Sequence, residues 1–310
     1  MSPLENVFVR EVGKRQQRRH LSNNHPPVVV VGNIAVGGTG KTPVVVALAE
    51  WFLAQGLTPG IISRGYGGSA PAYPLVVEHE TPVAHCGDEA KLLLGNQRCP
   101  VVVDPERVRA YEWLSENHSV DVVISDDGLQ HYALPRAFEI AVVDGKRLLG
   151  NGHCLPVGPL REPAERLQQV DAILQNGGET VLAGFNPVYR FELVPQAWVN
   201  VKTGERKSLD AFDNSQNYRA VAGIGNPQRF FDTLSRLDIA HLATIFPDHY
   251  AYSEQDFTAF FDQPLLMTEK DAVKCVGFAR PDWWYLQVGA DLPVSFWSIM
   301  DRFVQRHMRA

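Results

Sequence analysis

A doubly wound, mostly parallel α/β sheet, joined by a β-ribbon linker to a second, smaller α/β lobe, follows from three features of this 310-residue chain. Short β-branched runs recur with helical segments between them. A glycine-rich loop separates the first run from the first helix. Period-two alternation then sets in near Tyr189 and gives way to a further strand and helix pattern. At roughly 150 residues per domain, the length accommodates two adjoining cores.

Val28 to Val31 reads as a buried parallel strand, preceded by Pro26-Pro27 and followed by the glycine-rich turn. Thr42 to Gln55 has helical length, with Gly56 as its stop signal. Further strands are expected at Gly60–Ser63, Val101–Val103, Val120–Ser125, Glu139–Val143 and Ala172–Leu174. Residues 1–188 form the first domain on this reading, with a basic N-terminal segment. Residues 189–212 form a ribbon that alternates around Pro195 and turns at Thr203-Gly204. Residues 213–310 form the smaller lobe, with strands at Arg219–Ile224, Leu265–Thr268 and Trp284–Val288. Its first helix is capped by Asn226-Pro227, and its last, Val294–Met308, is placed to pack back on the first domain.

Composition narrows the function. With 29 basic and 35 acidic residues and a net charge of −6, the chain is not a globally basic nucleic-acid binder. Cys86, Cys99, Cys154 and Cys275 lie too far apart in sequence for metal-ligand spacing and read as reduced thiols. No apolar run approaches the roughly 20 residues of a membrane span. Arg10, Lys14, Arg15, Arg18 and Arg19 nevertheless make the N-terminus locally basic, fitting either a solvated helix or contact with anionic lipid headgroups.

The chemistry centres on Gly37-Gly38-Thr39-Gly40-Lys41-Thr42. Between a strand and a helix, such a loop cradles phosphate with backbone N–H groups. Lys41 offers a point charge to the β- and γ-phosphates, and Thr42 a hydroxyl to Mg²⁺. Ala35 stands where the P-loop pattern has its first glycine. A second constellation, Ser125-Asp126-Asp127-Gly128-Leu129-Gln130-His131, ends an apolar strand in carboxylates suited to holding the metal. Arg64 and Tyr66 follow the next strand, where they suit an anionic group and a sugar face. Gly87-Asp88-Glu89-Ala90 is either a helix cap or the source of a carboxylate base. Arg161-Glu162 offers an adjacent cation and anion, and His249 lies in a turn. Residue spacing alone supports a P-loop phosphotransferase, with a nucleotide-driven switch or partitioning ATPase as the alternative. Against that alternative, Val36 stands where such switches carry a lysine.

The motifs VVVVGNIAVGGTGKTP, SRGYGG, GDEA, SDDGLQHY, GNGHCLPVGPLREP, AGIGNPQRFF, FPDHY and LLMTEKDAVKC, spread from about Pro27 to Leu286, together resemble the tetraacyldisaccharide 4′-kinases of lipid A biosynthesis. The resemblance implies transfer of the ATP γ-phosphoryl to the 4′-hydroxyl of a tetraacyldisaccharide 1-phosphate glycolipid, giving lipid IVA. It implies ATP and Mg²⁺ as cofactors and work at the cytoplasmic face of the inner membrane, with no protein partner and no nucleic acid. By motif, Asp88 and His249 resemble a catalytic base and its partner, acting with Lys41 and Asp127. Gly37, Gly38, Thr39, Gly40, Lys41, Thr42 and Arg161 match nucleotide contacts. Thr42, Asp126, Gln130 and Glu162 match metal ligands, and Arg64, Tyr66, Glu89 and His131 substrate contacts. Members of this family carry an apolar N-terminal helix, and here 27 residues precede the first strand. The expectation is peripheral membrane contact through the basic segment, or an anchor upstream of Met1.

Overall fold

The structure, a computed structural model, describes Glu5 and residues 25–95, 99–185 and 187–308. The other residues of the basic segment up to residue 24 lie outside this set. Glu5 is buried, and its carboxylate accepts the Cys154 N–H at 3.0 Å.

The strands are β1 (Val28–Gly32), β2 (Pro59–Ser63), β3 (Leu75–Val76), β4 (Val101–Val103), β5 (Val122–Asp126), β6 (Phe138–Asp144), β7 (Ala172–Asn176), β8 (Val188–Asn200), β9 (Arg206–Lys207), β10 (Tyr218–Ala222), β11 (His241–Ile245), β12 (Leu265–Thr268) and β13 (Trp283–Asp291). They form one 13-stranded sheet in the order β11-β10-β12-β13-β8-β7-β6-β1-β5-β2-β4-β3, with β9 beside β8. The helices that matter for the site are α1 (Lys41–Ala54), α2 (Asp88–Leu94), α3 (Arg107–Asn117), α4 (Pro227–Arg236), α5 (Glu269–Cys275) and α6 (Val294–His307).

The alternating side chains of β1 explain why the N-terminal half is doubly wound. Val29 and Val31 pack into one core with Val44, Leu48 and Phe52 of α1, whereas Val28 and Val30 enter another with Ala110, Tyr111 and Leu114 of α3. Helix α6 returns to the first of these cores through Phe296, Met300 and Phe303. Each such side chain contributes about 1.5–3 kcal/mol on burial. The C-terminal strands are likewise covered on both faces, by a core around Trp198, Phe231 and Leu234 and by another around Phe257, Met267 and Trp283.

Strands β8 and β9 form an antiparallel pair, with Trp198 opposite Lys207. Strand β8 also belongs to both halves of the sheet. Its first residues pair in parallel with β7, and most of its length pairs antiparallel with β13. The β13 register shifts between Gln287 and Val288, opposite Ala197 and Pro195, so Gln196 is an extra residue that bends the strand. Strand β11 was not anticipated; it lies at the sheet edge with its residues half-buried or exposed, Leu242 and Ile245 among the exposed. Asn226 does sit at the N-cap of α4 with Pro227 in the first turn, but its side chain makes no capping hydrogen bond. Among the described residues, no helix is long and apolar enough to cross a membrane.

Candidate active site

Strands β1, β5 and β2 are neighbours and parallel, so their C-terminal ends open onto one crevice. The register places Asp126 opposite Val31, where the chain leaves β1 for the phosphate loop. Gly37 and Gly40 take φ of +97° and +94°, a left-handed backbone that a side chain disfavours. A Cβ on Gly40 would stand 2.6 Å from Asn176 Nδ2, the nitrogen that donates to the Thr39 carbonyl at 2.9 Å. Ala35 is bridged to Leu160 and its φ is not positive, so this position tolerates its Cβ. Gly40 at the N-cap of α1 has no side chain to give, which leaves the first-turn N–H groups uncapped by any side chain, as an anion site requires.

Beside this loop, Asp127 is gripped by two cations, Arg161 at 2.9 Å and Lys41 at 3.4 Å. Burial opposes its ionisation, but Lys41 and Arg161 outweigh that and hold its carboxyl below the usual range. Asp127 has φ +48°, a conformation aspartate tolerates better than most residues. Its neighbour Asp126 behaves oppositely. Burial, helped by Glu89 and Asp127 and opposed by Lys41 and Arg107, pushes it up to about 7. Asp126 Oδ2 accepts from Ser63 Oγ at 3.3 Å, while Oδ1 is buried with no hydrogen-bond partner. An orphaned carboxylate oxygen beside a phosphate loop, with Thr42 also lining the crevice, fits a hard divalent cation.

Across the crevice, Asp88 opens α2 and is 5% exposed. Its Oδ1 accepts the Glu89 N–H at 2.8 Å, and its Oδ2 lies 3.0 Å from His249 Nδ1. His249 belongs to the loop after β11, with φ +58°, so the C-terminal half delivers it in a conformation uncommon for a residue with a side chain. The ring of Tyr66 lies 5.0 Å from the imidazole. Arg229 of α4, 3.7 Å from Asp144 at the end of β6, adds a second contact between the halves.

The crevice between them encloses about 1610 Å³ and is lined by Gly37–Thr42, Arg64, Tyr66, Glu89, Asp126, Asp127, Gln130, His131, Arg161 and His249. The structure thus gathers nearly every anticipated residue. Two do not line the crevice: Asp88, 5% exposed, whose neighbours Glu89 and His249 do line it, and Glu162. Glu162 is fully buried, engaged by Tyr132, by Gln130 Nε2 at 2.6 Å and by Arg166 at 3.8 Å. There it braces Gln130 from behind. His131 is also held neutral, because burial and then Arg107 and Arg64 lower it to about 4.

Three residues were missed. Lys270 enters from α5 to within 3.4 Å of Glu89. Arg107 is buried against the acidic strand end, donating to the Asp126 carbonyl at 3.4 Å. Asn176 ties down the phosphate loop. Only Lys270 had a sequence cue, in Thr268-Glu269-Lys270-Asp271 directly after an apolar strand.

A phosphate loop on a doubly wound sheet, with an acidic strand end beside it and a carboxylate–imidazole pair opposite, defines the class as a P-loop phosphotransferase. Comparisons with known proteins narrow it. The family described as tetraacyldisaccharide-1-P 4′-kinase matches residues 2–305. The tetraacyldisaccharide 4′-kinase of Hahella chejuensis is 50% identical over 276 residues, covering 89% of this chain and 80% of that protein. That of Pseudomonas putida F1 is 46% identical, covering 100% of this chain and 93% of its own length. The crystal structure of "apo" form LpxK from Aquifex aeolicus in complex with ATP superposes with a TM-score of 0.81 at 26% identity, over 98% of this chain and 97% of that one. The chain belongs to this family, the ATP-dependent kinases that phosphorylate tetraacyldisaccharide 1-phosphate to form lipid IVA in lipid A biosynthesis. The switch or partitioning alternative is set aside.

Proposed function

We propose that this crevice moves the γ-phosphoryl group of ATP to the 4′-hydroxyl of the glycolipid, with Asp88 as general base. The observation that carries the reading is the 3.0 Å contact between Asp88 and His249, made across 161 positions of sequence. A base so held takes the hydroxyl proton as the sugar oxygen bonds to phosphorus, the β–γ bridging bond breaks and ADP leaves. His249 orients the carboxylate.

Phosphoryl transfer calls for positioning and charge neutralisation. Lys41 and Arg161 supply the charge, and Asp127 keeps both cations aimed at one place before phosphate arrives. The uncapped start of α1 receives phosphate oxygens. Thr42 and Asp126, with Gln130 beside them, would hold Mg²⁺, whose part is to neutralise charge on the β- and γ-phosphate oxygens. Arg64, Tyr66, Glu89 and His131 face the acceptor sugar and its anionic group. Closing the C-terminal half over the crevice excludes water that would otherwise consume ATP.

We place the enzyme peripherally on the cytoplasmic face of the inner membrane, held by its basic N-terminal segment. Co-sedimentation with anionic vesicles that weakens as salt rises is expected; salt-independent binding would count against this contact. The central test is transfer from γ-labelled ATP to purified tetraacyldisaccharide 1-phosphate dispersed in detergent with Mg²⁺. Labelled lipid formed by the unmutated chain and not by Lys41→Ala supports the reading. ATP bound but no lipid labelled would refute it.

A further inference from the structure

Lys270 is the one cation that the C-terminal half sends to the Asp88 end of the crevice among the described residues. It stands in the first turn of α5, and its side chain is 19% exposed. Its Nζ lies 3.4 Å from Glu89, 3.6 Å from Asp248 and 3.9 Å from Asp88. Its distance to His249 Nε2 is 3.4 Å. Burial disfavours the ammonium, but Glu89, Asp88 and Asp248 together outweigh burial and raise its pKa, so it is charged.

An ammonium group has three donors and no acceptor. A ring nitrogen facing it can only accept. Asp248 Oδ2, the competing partner for His249 Nε2, is farther away at 3.9 Å, beyond hydrogen-bond range. The His249 proton then resides on Nδ1, which donates it to Asp88 Oδ2. From this geometry we infer that Lys270 is a positioning residue: its ammonium fixes His249 as the Nδ1–H tautomer and so locks the carboxylate of Asp88 in place. The inference rests on Asp88 being the base, and it adds a third member that draws both neighbours together from opposite halves of the molecule.

The groups facing His249 are Asp88 from α2, Asp248 from its own loop, Tyr66 from the loop after β2, and Lys270 from α5. Without the ammonium, no donor obliges Nε2 to accept, and the ring proton is free to sit on Nε2 toward Asp248, leaving Asp88 Oδ2 without its donor. Lys270→Met should therefore lose about ten-fold or more in kcat at neutral pH, a fraction of what a general base supplies. The KM for ATP should be unchanged. Lys270→Arg, which retains charge and donors, should recover part of the rate. If Lys270→Met lost kcat while its His249 kept the Nδ1–H tautomer by ¹⁵N shifts, Lys270 would be reduced to a packing role and the proposal overturned. A raised KM for the glycolipid with normal kcat would make it a substrate contact instead, which also overturns it.

A measurement on the unmutated chain does not depend on whether the Lys270 variants fold. With ¹⁵N-labelled histidine, and His249→Gln for assignment, the His249 nitrogens should report Nδ1–H and an accepting Nε2 near neutral pH. An Nε2–H tautomer would sink the clamp even if Asp88→Ala is inactive. Normal turnover of Asp88→Ala would instead sink the base and leave the tautomer result standing.

Discussion

At the phosphate-loop end of the crevice, the glycine loop and Lys41 belong to one strand, one loop and one helix, residues 28–54, and Asp127 and Arg161 join them from the same half of the sheet. At the other end, Asp88 meets His249 and Lys270, which lie more than 150 positions further along the chain. The first end is complete within a single unit of folding. The second exists only when the two halves are packed together. Nucleotide affinity and base geometry should therefore be separable by mutation, since one depends on local backbone and the other on the seam between halves.

The sharpest break is expected from Asp88→Ala, which should lower kcat by about 10²- to 10⁴-fold while ATP affinity is retained. Equilibrium binding of ATP measured beside single-turnover labelling of the lipid checks both halves of that statement. Lys41→Ala should lower kcat by about 10²- to 10³-fold and, unlike the first variant, weaken ATP binding too. If both variants lost ATP binding equally, the two ends would not be independent. Arg229→Ala removes a partly exposed ion pair with Asp144 across the seam. Such a pair is worth about 1 kcal/mol or less, so kcat should fall by no more than about five-fold, with the KM for ATP steady.

The smallest effect concerns stability on the C-terminal wall. Burial pushes Glu269 up to about 7, with Gln287 and Arg206 opposing. A carboxyl raised on folding contributes stability that is present below its ordinary value of 4.5 and is lost as pH rises through about 7. Glu269→Gln should flatten that slope, melting a few degrees higher than the unmutated chain at pH 8 and no higher at pH 4. Parallel thermal melts at the two values decide it.

How far the sequence disclosed this site follows the same division. The phosphate loop was legible because its glycines, lysine and hydroxyl are contiguous and sit between a β-branched run and a helix. Asp126 and Asp127 were legible because they end a strand. Asp88 and His249 could be paired only through a family resemblance, since no local pattern links α2 to a turn in the other half. Lys270 had a cue in its place after an apolar strand, but its partners stayed hidden for the same reason, since it meets nothing nearby in sequence. Glu162 is adjacent to Arg161 in sequence, but Arg161 lines the crevice while Glu162 turns into the fold, where Arg166 and Tyr132 engage it. The dual membership of β8 was equally beyond periodicity, which reports alternation and not the identity of the neighbouring strand.

The unmatched residue Gln196, beside Pro195, resets the direction of β8 between the stretch that begins next to β7 and the stretch that pairs with β9. The aim of His249 and Lys270 at Asp88 is thus set partly by a strand that touches none of the three, and a deletion of Gln196 would re-aim the C-terminal loops without altering any residue of the crevice.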